Sequence, residues 1–268
     1  MQQVGSIYLW FSPLAFVLLA ALYHGVNFWA GVAGGLVHLA FVALGLYQDG
    51  AFQERRGESS SILGPVLLVF GGALVWATGP SAPPDPTYLA VAQYNQLGLT
   101  LGFLVTLLGF AATVPALDST RERALGSVGL ACFALMFVGW WVDAAVRGMM
   151  RGSTFIGKPH ERWPELLQLF SNFSRLLLGL GLPLGYLAGA VFAGMAIRGG
   201  WVRRGAGLAM FVYCWLGVPL SAVRSLIPVS SLSEMPLYLY PYLSPAMICL
   251  IPYYVGVLRL KKQAVPTG

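Results

Sequence analysis

The stretch from Ile7 to Tyr47, IYLWFSPLAFVLLAALYHGVNFWAGVAGGLVHLAFVALGLY, is an almost unbroken apolar run and decides the fold class. A helix that crosses the roughly 30 Å hydrocarbon core of a bilayer needs about 20 such residues, so this run is too long for a single crossing. Its one turn-like, polar point is His24-Gly25-Val26-Asn27. We therefore predict a hairpin of two membrane spans, at residues 7–23 and 28–47.

The composition of the 268-residue chain extends this interpretation to the whole protein. Hydrophobic residues make up 57% of the chain, charged residues make up 10%, and the mean hydropathy is +0.71. Because soluble domains are about 25% charged, this chain has too little polar surface for a globule in water. The apolar runs are long and do not alternate, which indicates helices rather than strands. We predict an all-α, polytopic helical membrane bundle, one integral membrane domain over residues 1–268. We predict eight transmembrane helices in this bundle. Besides the two spans of the hairpin, they are 62–78, 89–114, 125–146, 176–197, 205–227 and 237–258.

The placement of basic residues predicts the orientation of the bundle. Lys and Arg concentrate on the cytoplasmic side of helical membrane proteins. With eight crossings, one side receives both termini and the loops 48–61, 115–124 and 198–204, and it carries Arg55, Arg56, Arg121, Arg123, Arg198, Arg203, Arg204, Arg259, Lys261 and Lys262. We therefore expect both termini in the cytoplasm of a multi-pass protein of the plasma (inner) membrane. The net charge of +6 is an orientation signal and gives no reason to expect nucleic acid as a partner.

The connection before the sixth span has a helical pattern of its own. Pro164 suits the first turn of a helix. After it, polar residues recur at three- and four-residue steps, at Glu165, Gln168, Asn172 and Arg175, with apolar residues on the other faces. This pattern predicts an amphipathic helix on the outer side, either flat on the outer leaflet or turned over the bundle as a lid.

Polar residues of the spans concentrate near the end of the bundle predicted to face outside. A polar group within a bilayer usually faces a cavity or a partner, because its burial in lipid is costly. We therefore expect an outward-facing polar pocket that binds a small anionic or amphipathic ligand, since guanidinium groups bind carboxylates and phosphates in bidentate fashion. The predicted ligand-binding residues are Gln93, Asn95, Gln96, Asp143, Arg147, Arg175 and Arg224. We therefore predict a membrane carrier or binding protein.

The histidines support a different function, that of a redox-complex subunit or a haem- or quinone-handling protein. In that alternative, His24, His38 or His160 would ligate haem or hydrogen-bond a quinone. Trp140, Trp141 and Asp143, together with His24 and His160, resemble a sparse version of the Trp-rich outer segment of haem-handling proteins of cytochrome c assembly. The full motif of those proteins is not present, and the sequence assigns no family. A scaffold subunit that meets a membrane-protein partner, or another copy of itself, is a third interpretation.

Motifs for soluble-enzyme chemistry are not visible, which leaves any enzyme activity and its catalytic residues open. The chain has no Walker A, HExxH or GxSxG sequence, and its Cys and His residues lack metal-site spacing. We therefore predict no metal and, outside the redox alternative, no cofactor. The expected partners are the lipid bilayer and a small-molecule ligand.

Two further patterns concern packing. Small residues recur at every fourth position of the sixth span and predict a face of close helix packing within the bundle, at Gly181, Gly185, Gly189 and Ala193. Near the last span, Pro245 and Pro252 each remove a backbone donor. We expect there either a kinked helix or a broken helix whose carbonyls bind an ion or solute.

Overall fold

The computed structural model describes residues 4–25, 28–48, 59–78, 89–117, 119–151, 163–226 and 245–264. Within these ranges the chain is helical and contains no strand, which confirms the all-α prediction. The described residues form eight α-helices: α1 (Val4–Gly25), α2 (Phe28–Gln48), α3 (Ser59–Ala77), α4 (Leu89–Thr113), α5 (Thr120–Arg151), α6 (Glu165–Arg198), α7 (Arg204–Leu226) and α8 (Leu250–Ala264). A 3₁₀ segment, Pro245–Cys249, leads directly into α8.

Five of these helices are long and apolar enough, over their described residues, to cross a membrane: α2, α4, α5, α6 and α7. Shorter apolar stretches occur in α1 and α3, at Val4–Leu14 and Ile62–Ala77, and α8 has 15 residues. Residues 237–244 of the last predicted span lie outside the described residues. The helical character of the described parts of every predicted span is confirmed, while the count of eight crossings and the cytoplasmic position of both termini stay predictions.

The predicted amphipathic helix is not a separate element. It is the first part of α6, a continuous helix of 34 residues that follows Pro164. Gln168 N donates to Pro164 O at 3.1 Å, and the Gln168 side chain donates to Trp163 O at 2.8 Å. No glycine or proline interrupts residues 165–178, and Ser171 and Ser174 are buried. The predicted polar residues Glu165, Gln168, Asn172 and Arg175 therefore belong to the same helix as the sixth span, and all but Gln168 are exposed.

The helices pack as two groups that α8 joins. In one group, α3 packs against α1, α2 and α4; in the other, α6 packs against α5 and α7. The two groups meet where α4 packs against α5, and α8 packs against both α3 and α6. The buried interior is largely aromatic, with Trp76, Phe103, Phe110, Phe133, Tyr186, Phe192 and Tyr253 among its largest side chains.

Glycines set the closest helix approaches, as the sequence predicts for α6. Gly181, Gly185, Gly189 and Ala193 are all buried. A Cβ added to Gly181 would lie 3.4 Å from Met136 Cα in α5. A Cβ on Gly185 would lie 2.9 Å from Ile248 in the 3₁₀ segment. A Cβ on Gly189 would lie 2.8 Å from Cys214 in α7. This face therefore packs within the molecule against three different elements, which confirms the prediction.

The segment that begins at Pro245 is a 3₁₀ turn buried in the bundle, and Pro252 lies in the first turn of α8. Ala246, Ile248 and Cys249 are buried, and Trp76 of α3 donates from Nε1 to Ala246 O at 3.3 Å. Thr106 Oγ1 of α4 lies 3.9 Å from Cys249 Sγ. Non-helical backbone is tolerated at membrane depth where protein groups cover it. The irregular segment is thus held by side chains of α3 and α4.

Candidate functional site

Three of the predicted polar residues lie where the end of α3, the first turns of α4 and the second half of α5 meet. Asn95 in α4 is buried and donates from Nδ2 to the carbonyl oxygen of Thr78, at the end of α3, at 3.4 Å. Gln96 Nε2 donates to the carbonyl of Ala144 in α5 at 2.8 Å. Ala144 directly follows Asp143 in the sequence. The side chain of Asn95 thus connects α4 to the end of α3, and that of Gln96 connects α4 to α5 next to Asp143.

Asp143 is the charged member of this group. Its exposed fraction is 1%, although it lies in a helix apolar enough to cross a membrane. A buried carboxylate is costly in a low-dielectric environment unless it faces polar groups, a partner or water. Asp143 therefore lies inside the bundle and not on its exposed surface.

The contacts between α5 and α6 bring two serines to the level of Asp143. A Cβ on Gly139 would lie 2.9 Å from Leu177 O, and one on Gly181 would lie 3.4 Å from Met136 Cα, so the two helices run antiparallel. Continuing this register by one turn places Ser174 opposite Asp143. Ser174 is buried and donates from Oγ to Ser171 O at 3.0 Å. We call the resulting group the outer polar layer, after the side of the membrane that the basic loops predict it to face; its members are Thr78, Asn95, Gln96, Asp143, Ser171 and Ser174.

The other predicted pocket residues are not brought into this layer by the described side chains. Gln93 and Arg175 are exposed. Arg147 lies in α5 one turn beyond Asp143, and Arg224 lies in α7, which packs mainly against α6, but both side chains lie outside the described part of the structure. The arginine lining of the pocket therefore stays a prediction.

The histidines occupy different places. His38 is buried, and its Nδ1 lies 2.7 Å from Tyr8 Oη in α1. His38 therefore connects α2 to α1. The side chain of His24, near the end of α1, and the whole of His160 lie outside the described residues. Haem or quinone binding thus stays a prediction, which an absorption spectrum of the purified protein tests for haem.

Metal ligands of the usual kinds do not cluster. Among the residues that the structure describes, no three His, Cys, Asp or Glu side chains come together as a metal site would require. The three cysteines, Cys132, Cys214 and Cys249, are free and buried in different helices or turns.

Sequence reasoning missed Thr78, Ser171 and Ser174. Serine and threonine in helices commonly bond their own backbone, so their positions carry little functional signal. Their spacing offered one clue in the sequence, because Ser171 and Ser174 recur at helical steps with the apolar Leu178. In the structure all three residues are buried. The sequence pattern instead drew attention to Asn172 and Arg175, which are exposed.

The apolar helices and this buried polar layer define a multi-pass integral membrane protein, and they fit a protein of the inner membrane. Among curated proteins, a 106-residue segment of the chain is 26% identical to a protein of Desulforamulus reducens named "Putative manganese efflux pump MntP". The match covers 39% of this chain and 59% of that protein, so the chain spans less than two thirds of its relative. No family model matches the chain, and no solved structure matches it.

Proposed function

We propose that the chain is a membrane transporter whose substrate-binding region is the outer polar layer. The observation that carries this proposal is the burial of Asp143 near Asn95 and Gln96, at one end of a largely apolar bundle. Transporters place substrate sites among polar groups that face the bundle interior. The likeness to a protein named as an efflux pump supports the same class of function.

The side chains of the layer favour a small cation as the substrate. Asp143 supplies one carboxylate, while Asn95, Thr78 and Ser174 supply amide, carbonyl and hydroxyl oxygens. Such oxygen donors suit hard divalent cations, including Mn²⁺. Manganese is also the metal in the printed name of the relative, which makes Mn²⁺ the first substrate to test.

The test is the manganese content of cells that express the protein. We expect the native chain to change the Mn²⁺ that cells accumulate from a manganese-rich medium, measured by elemental mass spectrometry. Asp143→Asn keeps the shape of the side chain but removes its charge, and it should abolish this change. Glu165→Gln, the same alteration at an exposed residue in the first turn of α6, is the matched control and should behave as the native chain.

The arginine-lined pocket for a small anionic or amphipathic ligand is the second proposal. It rests on Arg147, which α5 places four residues beyond Asp143 and so on the same face of that helix. In this case Arg147→Gln, rather than Asp143→Asn, should remove transport, and labelled phosphate or a carboxylate should be the substrate. The same cells, given each labelled anion in place of Mn²⁺, separate the two proposals.

A further inference from the structure

A groove opens between α5, α6 and α7, far from the outer polar layer. It has a volume of about 200 Å³ and, apart from Arg198 at one end, its walls are apolar. The lining side chains come from all three helices and include Leu125, Leu187, Val191, Met195, Phe211 and Trp215. Gly194 also lines the groove, and a Cβ added there would meet no atom within 4 Å. The glycine therefore leaves open space that a larger side chain would fill.

The mouth of the groove is basic. Arg198 ends α6, and Arg203 and Arg204 lie at the start of α7; all three side chains are exposed. Gly126 of α5 lies close to Met195, so the first turn of α5, with Arg121, Arg123 and the acidic Glu122, lies at the same end of the bundle. The positive charge at this end exceeds the negative charge, and the basic loops predict that it faces the cytoplasm.

We propose that this groove binds an anionic phospholipid. One acyl chain would lie along the apolar walls, and the phosphate of the head group would contact Arg198 and the arginines that begin α7. Basic pockets between membrane helices on the cytoplasmic side bind anionic head groups in this way, and guanidinium groups hold phosphate oxygens through paired hydrogen bonds. A second copy of the chain fits the site less well, because two-fold packing would bring like-charged arginine clusters together.

Native mass spectrometry and thermal unfolding of the detergent-purified chain test the role of the arginines. We expect phosphatidylglycerol to bind and to raise the midpoint of unfolding, whereas phosphatidylcholine and inorganic phosphate should have little effect. Arg198→Gln should weaken phosphatidylglycerol binding about fivefold, since each basic residue near an anionic lipid contributes about 1 kcal/mol. Arg151→Gln is the matched control, since it removes an arginine from the end of α5 opposite to the groove, and it should bind phosphatidylglycerol as the native chain does.

A second pair of variants tests the groove itself. Gly194→Leu should fill the groove and abolish the bound phosphatidylglycerol while the unfolding midpoint without lipid is kept. Ala40→Leu enlarges an exposed residue on α2, a helix that does not line the groove, and should leave lipid binding unchanged. Equal binding of the two phospholipids, an equal effect of inorganic phosphate, or native lipid binding by Gly194→Leu would overturn the proposal. The proposal would also be overturned if Gly194→Leu converted a dimer into a monomer instead of removing the bound lipid.

Discussion

At the scale of single residues, Pro13 explains an unusual contact between the two ends of the chain. Proline has no backbone N–H, so Pro13 leaves the carbonyl of Leu9, four residues earlier in α1, without its helical donor. The hydroxyl of Tyr253 in α8 donates to this oxygen at 2.8 Å. Tyr253 is fully buried, and an unpaired carbonyl in that environment would be costly. The bond therefore repairs the helix and fixes α8 against α1.

Removal of the Tyr253 hydroxyl should destabilise the protein. We expect Tyr253→Phe to lower the free energy of unfolding by about 1 kcal/mol, because the Leu9 carbonyl then has no donor. In a Pro13→Ala background the restored N–H of residue 13 can donate to this carbonyl. Tyr253→Phe should then lower the free energy of unfolding by a smaller amount. Denaturant titration of the four variants measures this double-mutant cycle.

The neighbouring tyrosine supplies the control for this cycle. Tyr254 donates to Trp10 O at 3.0 Å in a more exposed position, and Trp10 lies one residue beyond Leu9 in α1. Tyr254→Phe should therefore have a smaller effect that does not depend on Pro13. The explanation would be contradicted if Tyr253→Phe lowered the free energy of unfolding by the same amount with and without Pro13.

At the scale of elements, the contact between α3 and α4 depends on glycines rather than on large side chains. A Cβ on Gly71 would overlap Thr106 Oγ1, and one on Gly98 would overlap Thr78. In lipid, such close approach of backbones supplies the packing that holds helices together. Since α3 also packs against α1, α2 and α8, this contact supports the centre of the molecule and the Thr78 end of the outer polar layer.

A methyl group added at this contact should be destabilising. We expect Gly71→Ala to lower the free energy of unfolding by about 1–3 kcal/mol, because α3 and α4 must move apart. Gly194→Ala, where a Cβ meets open space, should be neutral or stabilising, since alanine favours a helix by up to about 1 kcal/mol. Denaturant titration that gives both variants the same stability would contradict this account of the contact.

The elements could be predicted from the sequence to different degrees. The apolar runs predicted the position of α2 and α4 closely, because the run of apolar residues and the helix end at the same polar or Pro-rich segments. The amphipathic stretch before the sixth span was wrongly separated from it. Periodicity shows which residues share a face, but only the neighbours decide whether that face lies on a lipid surface or, as for Ser171 and Ser174, against other helices.

At the scale of the whole molecule, the buried polar layer and the groove with its arginines lie at opposite ends of the bundle. The outer polar layer occupies one end, and the arginines of the groove between α5, α6 and α7 occupy the other. The helix order explains this arrangement, because neighbouring helices such as α3 and α4 run antiparallel and return the chain to the same end after every second helix.

This arrangement predicts the labelling pattern of single cysteines in intact cells. A cysteine in place of the exposed Asn172 should react with a membrane-impermeant maleimide added outside, and one in place of the exposed Arg204 should react only after the membrane is opened. The unmodified chain is the background control, because its three cysteines are buried. Labelling of both positions from the same side would contradict the predicted orientation.

The candidate site could be predicted only in part. Asn95, Gln96 and Asp143 were found because amides and carboxylates are rare in membrane helices. Their partners, Thr78 and Ser174, were not found, since hydroxyl groups are unremarkable there. Arg175 was assigned to the pocket from its depth along the chain, and depth does not determine which way a helical side chain points; in the structure it is exposed.

Ion flux through the purified protein in liposomes tests the central claim most directly. With a Mn²⁺-quenched dye trapped inside, the native chain should admit Mn²⁺ faster than empty liposomes do, and Glu165→Gln should match it. Asp143→Asn should reduce the flux to that of empty liposomes, because the layer then offers a cation no charge. Native flux through Asp143→Asn, with the variant folded, would show that the buried carboxylate does not carry transport.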